Sequence, residues 1–506
     1  MVDVDLEPTS RPGGRGASAD SARRASLPWT AALLVGAMAL SGCKVGPNYV
    51  KPPSAPPALT YKELPPPPGT WKPAVPADAL ARGEWWLQFG DPTLTDLETR
   101  LTGANLQVQA ALANYTAAAA AVRQAKASFY PTLSLGPTIQ RERLSYNRPN
   151  YVSNLTPSQY NDFALSGSAS WQPDFWGQVR REVENARANA QALAADQANV
   201  ELSVRTELAV DYYQLRGLDA QQQLLDTTLS TFQAYLELTQ KRFRGGVSTE
   251  ADVALAQTQL ATTQTQTIDV AIARAQYQHA IATLLGISAS AFSLPPMPQN
   301  TNIPDIPTGV PSELLERRPD VAAAERRAQA ANEQIGVAIA AYYPNISLTG
   351  GGGFESGEPG TWIQGPSELW SVGASAIETI FDGGRRRAVT DQARANYSST
   401  VANYRLTVLN SFQEVEDNLA ALRVLQQEEG SAANAVRSAT NSLRLSTNRY
   451  KGGVTTYLEV LTSQQAQLAN QRTSEDITTR RFVASVQLVS SLGGGWNTSK
   501  LPANPK

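Results

Sequence analysis

Arg242-Phe243-Arg244-Gly245-Gly246-Val247-Ser248-Thr249 recurs as Arg449-Tyr450-Lys451-Gly452-Gly453-Val454-Thr455-Thr456. The spacing is 207, the difference between 449 and 242. Ala186-Arg187-Ala188-Asn189 keeps it, returning as Ala393-Arg394-Ala395-Asn396. Upstream, Phe129-Tyr130-Pro131-Thr132-Leu133-Ser134-Leu135 returns as Tyr342-Tyr343-Pro344-Asn345-Ile346-Ser347-Leu348, here 213 residues on (342 against 129). The extra residues of the first copy fall between Arg141 and Asp162, where a loop is longer. Self-similarity at a fixed period marks a duplicated structural unit. The chain is therefore two halves joined by a Pro-rich link from Leu294 to Pro311.

Each half carries the same order of elements. A first helix is expected over about 96–128 and again over about 320–341, where Pro319 and Asp320 suit a first turn. Two strands follow in each, starting near Thr132 and Phe163, then near Asn345 and Leu369. Phe163, Leu165, Gly167, Ala169 and Trp171, like Trp370, Val372, Ala374 and Ala376, alternate with mostly polar or small neighbours. Very long helices are predicted over about 180–244 and 386–451, each ended by a Gly-Gly break and followed by a returning helix (about 250–285 and 456–491). Their apolar stripe is narrow: Leu208, Leu215, Leu218, Leu225, Leu229, Phe232, Leu236 and Phe243, repeated 207 later as Val415, Leu422, Leu425, Ala432, Val436, Ala439, Leu443 and Tyr450. Steps of 3, 4 or 7 make it a heptad seam. The rest of the surface is Gln, Thr, Ser, Asn, Asp and Glu, so these helices do not face lipid. Some 65 residues at 1.5 Å each give a rod of about 100 Å, too long for a compact globule.

Four amphipathic strands cannot close a barrel, and open sheet edges are not tolerated in lipid. Barrels begin at about eight strands. Two chains would supply a barrel filled by side chains; three would supply twelve strands and leave a lumen. Oligomerisation is required on this reading, and the strand count alone leaves its order open.

The N-terminus addresses the chain. Arg23-Arg24 precede the apolar run Leu33–Leu40, too short to span a bilayer and typical of a cleaved signal peptide. It ends Leu40-Ser41-Gly42-Cys43, the pattern of a bacterial lipobox, in which the cysteine thiol is lipidated and becomes the mature N-terminus. An ordinary signal peptide with an incidental cysteine is the alternative. Beyond Cys43, Pro52-Pro53, Pro56-Pro57 and Pro65–Pro68 read as an extended tether between anchor and body.

Composition narrows function. A hydrophobic fraction of 42% excludes a disordered chain, and a net charge of −2 removes the electrostatic case for nucleic-acid binding. With a single Cys and a single His (His279, in a polar helical stretch), a Cys/His metal site is not expected, nor a catalytic histidine dyad. The chain has no phosphate-loop motif. Gly350–Gly353 invites a nucleotide-loop reading, but as part of the strand hairpin it is expected to be a flexible or crowded barrel turn. No catalytic residue, no metal and no cofactor beyond the Cys43 lipid is expected.

At these residues the chain resembles a known family, the TolC-type outer membrane factors, in the lipoprotein branch serving resistance-nodulation-division efflux. The resemblance is carried by Cys43-Lys44-Val45-Gly46-Pro47-Asn48-Tyr49, by Leu314-Leu315-Glu316-Arg317-Arg318-Pro319-Asp320 running through Ala322-Ala323-Ala324-Glu325 to Ile335-Gly336 and Tyr343-Pro344, and by Asp174-Phe175-Trp176-Gly177 and Phe381-Asp382-Gly383-Gly384-Arg385. It covers nearly all of the mature chain. It implies an α+β membrane channel: a homotrimer with a 12-stranded β-barrel in the outer membrane, a long periplasmic α-barrel and an equatorial collar. The implied partners are a periplasmic adaptor, an inner-membrane resistance-nodulation-division pump and outer membrane lipid. The implied segments are a signal peptide (1–42), a lipidated arm (43–95), a first repeat (96–293), a linker (294–319), a second repeat (320–492) and a tail (493–506).

The resemblance puts both Gly-Gly breaks at a periplasmic tip where the adaptor docks. Arg242, Gly246, Val247, Ser248 and Asp252 match the first tip motif; Arg449, Gly453, Val454, Thr455 and Glu459 match the second. Both are equally ordinary helix-hairpin turns, with Gly supplying φ > 0 and Ser or Thr a cap. Leu458 and Glu459 match a pore constriction, whereas Thr462 departs from the Asp that relatives often carry. Export of protein or polysaccharide through a similar duct, or a coiled-coil scaffold without a pore, are the competing functions.

Overall fold

The computed structural model describes residues 44–54, 61–63, 83–147, 149, 159–297, 303–304, 306 and 314–503. The signal peptide and Cys43 lie outside the described residues, as does most of the Leu294–Pro311 link.

Two copies of one helix–hairpin–helix–helix unit follow each other. The first is α1 (Pro92–Ala104), α2 (Leu106–Ala127), β1 (Thr132–Arg143), β2 (Gln159–Trp171), α3 (Gln178–Arg244) and α4 (Glu250–Leu284). The second is a helical turn at Leu314–Arg317, then α5 (Pro319–Ala340), β3 (Asn345–Ser356), β4 (Glu368–Ile377), α6 (Arg385–Lys451) and α7 (Tyr457–Ser491). The duplicate helices match in length: 22 residues for α2 and α5, 67 for α3 and α6, 35 for α4 and α7. At 1.5 Å per residue α3 and α6 are each about 100 Å long.

The single first helix expected over 96–128 is corrected. Asp91 starts α1 earlier, its carboxylate accepting from Thr93 N and Leu94 N, with Pro92 at the first helical position. Asn105 then breaks the rod. Its backbone is extended, its side-chain oxygen accepts from Gln107 N and Val108 N, and its amide donates to Leu284 O at 2.8 Å. An interior Asn that caps a new helix and reaches across to α4 competes successfully with helix continuation.

The long helices start on glycines, which bring no capping side chain. A nearby aspartate substitutes in each. Asp174 accepts from Val179 N and Arg180 N, and Asp382 from Gly384 N and Arg386 N, so each carboxylate meets the positive end of the helix dipole. The seam behaves as the heptads require over most of its length. Leu208, Leu215, Leu225, Phe232, Val415, Leu425 and Tyr450 are buried, and only Phe243, at 43%, is exposed. Above mid-length a separate cluster forms. Trp85, Trp86, Phe89, Leu94 and Leu97 pack on Leu208, Tyr212, Tyr213 and Phe482, with the Tyr213 and Phe482 rings stacked 4.6 Å apart.

Glu98 lies beneath that cluster, fully buried, with Arg205 Nη1 at 3.6 Å and no hydrogen bond to either carboxylate oxygen. Burial raises its pKa to about 8, against a smaller pull from Arg205. A carboxyl with a higher pKa folded than unfolded favours folding below about 4.5 and loses that contribution as pH rises through about 8. Glu98→Gln should therefore raise thermal stability at pH 9, by about 1–3 kcal/mol for a poorly satisfied buried carboxylate. It should change little at pH 4. Equal shifts at both pH values in calorimetry would contradict this. Arg205 keeps Glu201 at 2.8 Å, Thr102 at 2.9 Å and the Trp86 ring at 4.5 Å in the variant.

The strands form one antiparallel sheet in the order β1-β2-β3-β4. Thr132 pairs with Ser170, Trp171 with Leu348, and Asn345 with Ile377. This register sorts the residues onto two faces. One is apolar: Leu133, Leu135 and Ile139, Phe163 and Leu165, Leu348 and Phe354, Trp370 and Val372. The other is polar, with Ser134 Oγ and Ser168 Oγ 2.7 Å apart, Ser347 Oγ and Ser375 Oγ 2.8 Å apart, and Gln140 donating to Asp162 at 3.1 Å. Gly350–Gly353 is not the turn expected of it. These glycines run inside β3 opposite Ala169, Ser168, Gly167 and Ser166, where a Cβ on Gly353 would stand 2.0 Å from Leu165 O. Backbones press together there, so the run is a packing device of the sheet.

Candidate functional site

The two Gly-Gly breaks come together at the far end of the helices from the sheet, and both are built alike. Val247 N donates to Arg242 O at 2.9 Å and Gly246 N to Phe243 O; Val454 N donates to Arg449 O at 3.0 Å and Gly453 N to Tyr450 O. Each is a Schellman closure around a glycine at φ 73° and 74°. In that motif the residue after the glycine usually packs back on its helix. Here Val247 is 65% and Val454 72% exposed, and Leu458 projects beside them at 53%. The last turns of α3 and α6 carry Lys241, Arg242, Arg244, Arg449 and Lys451, cations that complement the carboxyl ends of the helix dipoles. An apolar tip rimmed with positive charge results.

Beyond the closures the copies diverge. In the first, Thr249 caps α4 and Asp252 completes a capping box. Asp252 Oδ2 accepts from Thr249 N at 3.0 Å and Ser248 Oγ at 2.8 Å, and its own N–H is bound by Thr249 Oγ1 at 3.2 Å. Partial burial pushes the Asp252 pKa up, but these donors outweigh it and hold the carboxyl below its ordinary range. In the second copy Thr456 makes no such cap, and Thr455 is only half-buried in its turn. Glu459, the counterpart of Asp252, turns to Arg449 instead, Oε2 to Nη1 at 3.2 Å. Thr462 is exposed and spends its hydroxyl on Glu459 O at 3.0 Å. Of the matched pair Asp252 and Glu459, only Glu459 is thus free of capping duty.

A latch between the copies is the feature that reading the sequence missed. Arg242 lies over the Tyr450 ring at 4.7 Å and donates to Lys451 O at 3.2 Å, linking the end of α3 to the end of α6. Tyr450 meets Tyr457 edge-on at 5.7 Å, and Tyr235 OH lies 2.8 Å from Thr447 Oγ1. The signal was the Phe243-to-Tyr450 difference between the two tips: the tyrosine is buried under the arginine and its partner phenylalanine is exposed.

At the opposite end, the described part of the N-terminal arm is fastened to the body and does not bridge a gap. Lys44 ion-pairs with Glu184 and lies 3.8 Å from Glu333, and Val45 N donates to Trp176 O. The fully buried Arg181 donates to Val45 O at 3.0 Å, Gly46 O at 2.9 Å and Glu333 Oε2 at 2.5 Å. Asn332 holds Pro47 O, and Tyr49 OH donates to Glu325 at 2.7 Å. Residue 44 thereby stands at the junction of the sheet and the long helices, where Trp176 stacks on Tyr343 at 5.0 Å.

Among the described residues no group of three or more His, Cys, Asp or Glu side chains could hold a metal ion. His279 is exposed on α4.

Comparison with known proteins agrees with this architecture. The profile of the outer membrane efflux protein family matches residues 100–287 and 310–494, one segment per repeat. The probable efflux pump outer membrane protein TtgC of Pseudomonas putida is 28% identical over 474 residues, 93% of this chain and 96% of that one. Outer membrane protein OprJ of Pseudomonas aeruginosa is 30% identical over 475 residues, again 93% and 96%. The solved outer-membrane channel OprN superposes with a TM-score of 0.80 at 28% identity, covering 90% of this chain and all of the other.

Proposed function

Because this chain belongs to the outer membrane efflux protein family and is an outer-membrane efflux duct, we propose that three copies close a twelve-stranded barrel over a continuous periplasmic tube of helices. The carrying observation is the open sheet: among the described residues, four strands with one apolar and one polar face, and both edge strands without a further partner strand. Such a sheet is stable in lipid only when copies of itself cover its edges. The apolar face meets lipid and the serine-lined face meets water.

Gly246, Gly453 and the exposed Val247 and Val454 form the surface on which a periplasmic adaptor docks. Ser248 and Asp252 fix the shape of the first turn, and Thr455 lies in the second. Leu458, Glu459 and Thr462 ring the narrowest opening, held by Arg449 and the Arg242 latch. Docking opens the tube only if the adaptor binds the open tip better than the closed one. The duct supplies no energy, and an inner-membrane resistance-nodulation-division pump drives transport through it. Cys43 carries the lipid. Lys44, pinned beside Trp176 where the strands meet the helices, would set an acyl chain against the membrane face of the barrel.

Reconstitution in a planar bilayer tests the duct directly: the purified protein should give stepwise conductance, and a coiled-coil scaffold without a pore should give none. Mass spectrometry of the same preparation should find the mature N-terminal peptide beginning at an acylated Cys43. An unmodified Cys43 would remove the anchor while leaving the duct standing.

A further inference from the structure

The internal duplication determines how the barrel closes, residue against residue, and this inference rests on the trimeric reading above. Two offsets relate the copies. From Leu106 through Arg143 the second copy lies 213 residues on, so that α2 maps onto α5 and β1 onto β3, end for end. Across Phe163–Ser170, and again from Gly177 onward, it lies 207 residues on, so that these residues of β2 map onto Trp370–Ile377 of β4 and α3 maps onto α6. The hairpin registers obey both offsets at once. Thr132 pairs with Ser170; moving the first by 213 and the second by 207 gives Asn345 and Ile377, which also pair.

The same transformation applies to the junction between copies. Inside the chain β2 pairs with β3, matching Ser168 with Gly351, Leu165 with Phe354, Ala164 with Glu355 and Phe163 with Ser356. In a ring of alternating copies, β4 must meet β1 of the next chain as β2 meets β3. We infer that β4 pairs with β1 of the partner subunit in the register that places Ser375 opposite Thr138 of the partner subunit, Ser371 opposite Glu142 of the partner subunit, Val372 opposite Arg141 of the partner subunit and Trp370 opposite Arg143 of the partner subunit.

The chemistry of this seam is consistent on both faces. Ser375 and Ser371 lie on the polar face, and so do Thr138 and Glu142 of the partner subunit. Trp370 and Val372, exposed by 74% and 77% in one chain, lie on the apolar face. A one-residue slip would carry Trp370 onto the polar side and every small hydroxyl into lipid. In the inferred register Trp370 receives an arginine across the seam at the level where the apolar band of β1 ends, the position of an interfacial aromatic. An indole there takes a guanidinium on its face and shields it from hydrocarbon.

Disulfide trapping in the full chain decides the register. β1 and β4 are outer strands of the four-stranded sheet, three strand spacings or about 14 Å apart, too far for a bond within one chain. Opposed residues of neighbouring strands are about 4.5–5.5 Å apart, within disulfide reach. With copper phenanthroline as oxidant, Ser375→Cys/Thr138→Cys should convert most of the protein into covalent trimers on a denaturing gel. Ser371→Cys/Glu142→Cys should do the same independently, which guards against one pair failing to assemble. The slipped pairs Ser375→Cys/Gly136→Cys and Ser375→Cys/Gln140→Cys should stay largely monomeric. A trimer by mass in detergent that cross-links best at a slipped pair, or at neither matched pair, overturns the register alone. A particle whose mass is not that of three chains overturns the trimeric duct itself.

Discussion

Replacing Arg181 with methionine should be the most damaging single substitution outside the strands, lowering stability by about 3–5 kcal/mol, the cost of leaving a buried ion-pair partner without its counter-charge. Arg181 is fully buried, and Glu333, its carboxylate partner at 2.5 Å, is nearly so. The guanidinium also satisfies Val45 O and Gly46 O, and reaches Asn48 Oδ1 at 3.3 Å. Its loss strands two carbonyls and leaves the Glu333 carboxylate with only the more distant Lys44 as a cation, at 3.8 Å. Space is no remedy: Gly46 sits at φ 85°, and a Cβ there would lie 2.6 Å from Gly336 Cα, while a Cβ on Gly336 would lie 2.6 Å from Arg181 Nε. The arm should therefore detach, and limited proteolysis should cut between Lys44 and Lys51 faster than in the parent protein. Arg181→Met/Glu333→Leu should recover much of the stability, since removing both charges avoids the uncompensated one. If the single and double variants melt alike, the ion pair is not what holds the arm.

That network shows where sequence reading stops. The duplicated tips, the heptad seam and the alternation of Phe163–Trp171 each leave a local, periodic trace, so the long helices, the strands and the two tip turns were legible. Arg181 and Glu333 are separated by 152 positions and belong to no repeat, since Arg181 maps onto Ala388. Nothing periodic marks them. The Asn105 break was missed because one residue caps a helix through a bond to Leu284, a contact visible only after folding. Gly350–Gly353 was misread as a turn because glycine signals both chain reversal and close backbone approach, and only the neighbouring strand decides between them. At the tip, sequence matching set Asp252 and Glu459 side by side as equivalents. The structure separates them: one spends its oxygens on its own helix start, and the other reaches Arg449.

The tip glycines carry the largest expected loss of transport with the least loss of assembly. Gly246→Val and Gly453→Val should each cut efflux in a strain dependent on this channel, while the trimer still runs intact on an unheated gel. The left-handed conformation costs a non-glycine residue about 1–3 kcal/mol, more for a β-branched one. At Gly246 that strain is the whole effect, because nothing lies within 4 Å of where its Cβ would be. The turn should relax by giving up the bonds from Val247 N to Arg242 O and from Gly246 N to Phe243 O, which moves Val247. A docking surface that must first be restored at such a cost binds about tenfold more weakly for every 1.4 kcal/mol. Gly453→Val should be the more severe. Its turn carries Lys451 O, which receives Arg242, and Arg449, which holds Glu459, so both the latch and the ion pair shift with it. Asparagine tolerates φ > 0, and Gly246→Asn should keep most of the transport that valine loses. Drug susceptibility unchanged by both valine variants, with trimers present, would show that the tip turns are only hairpin closures and that the adaptor docks elsewhere.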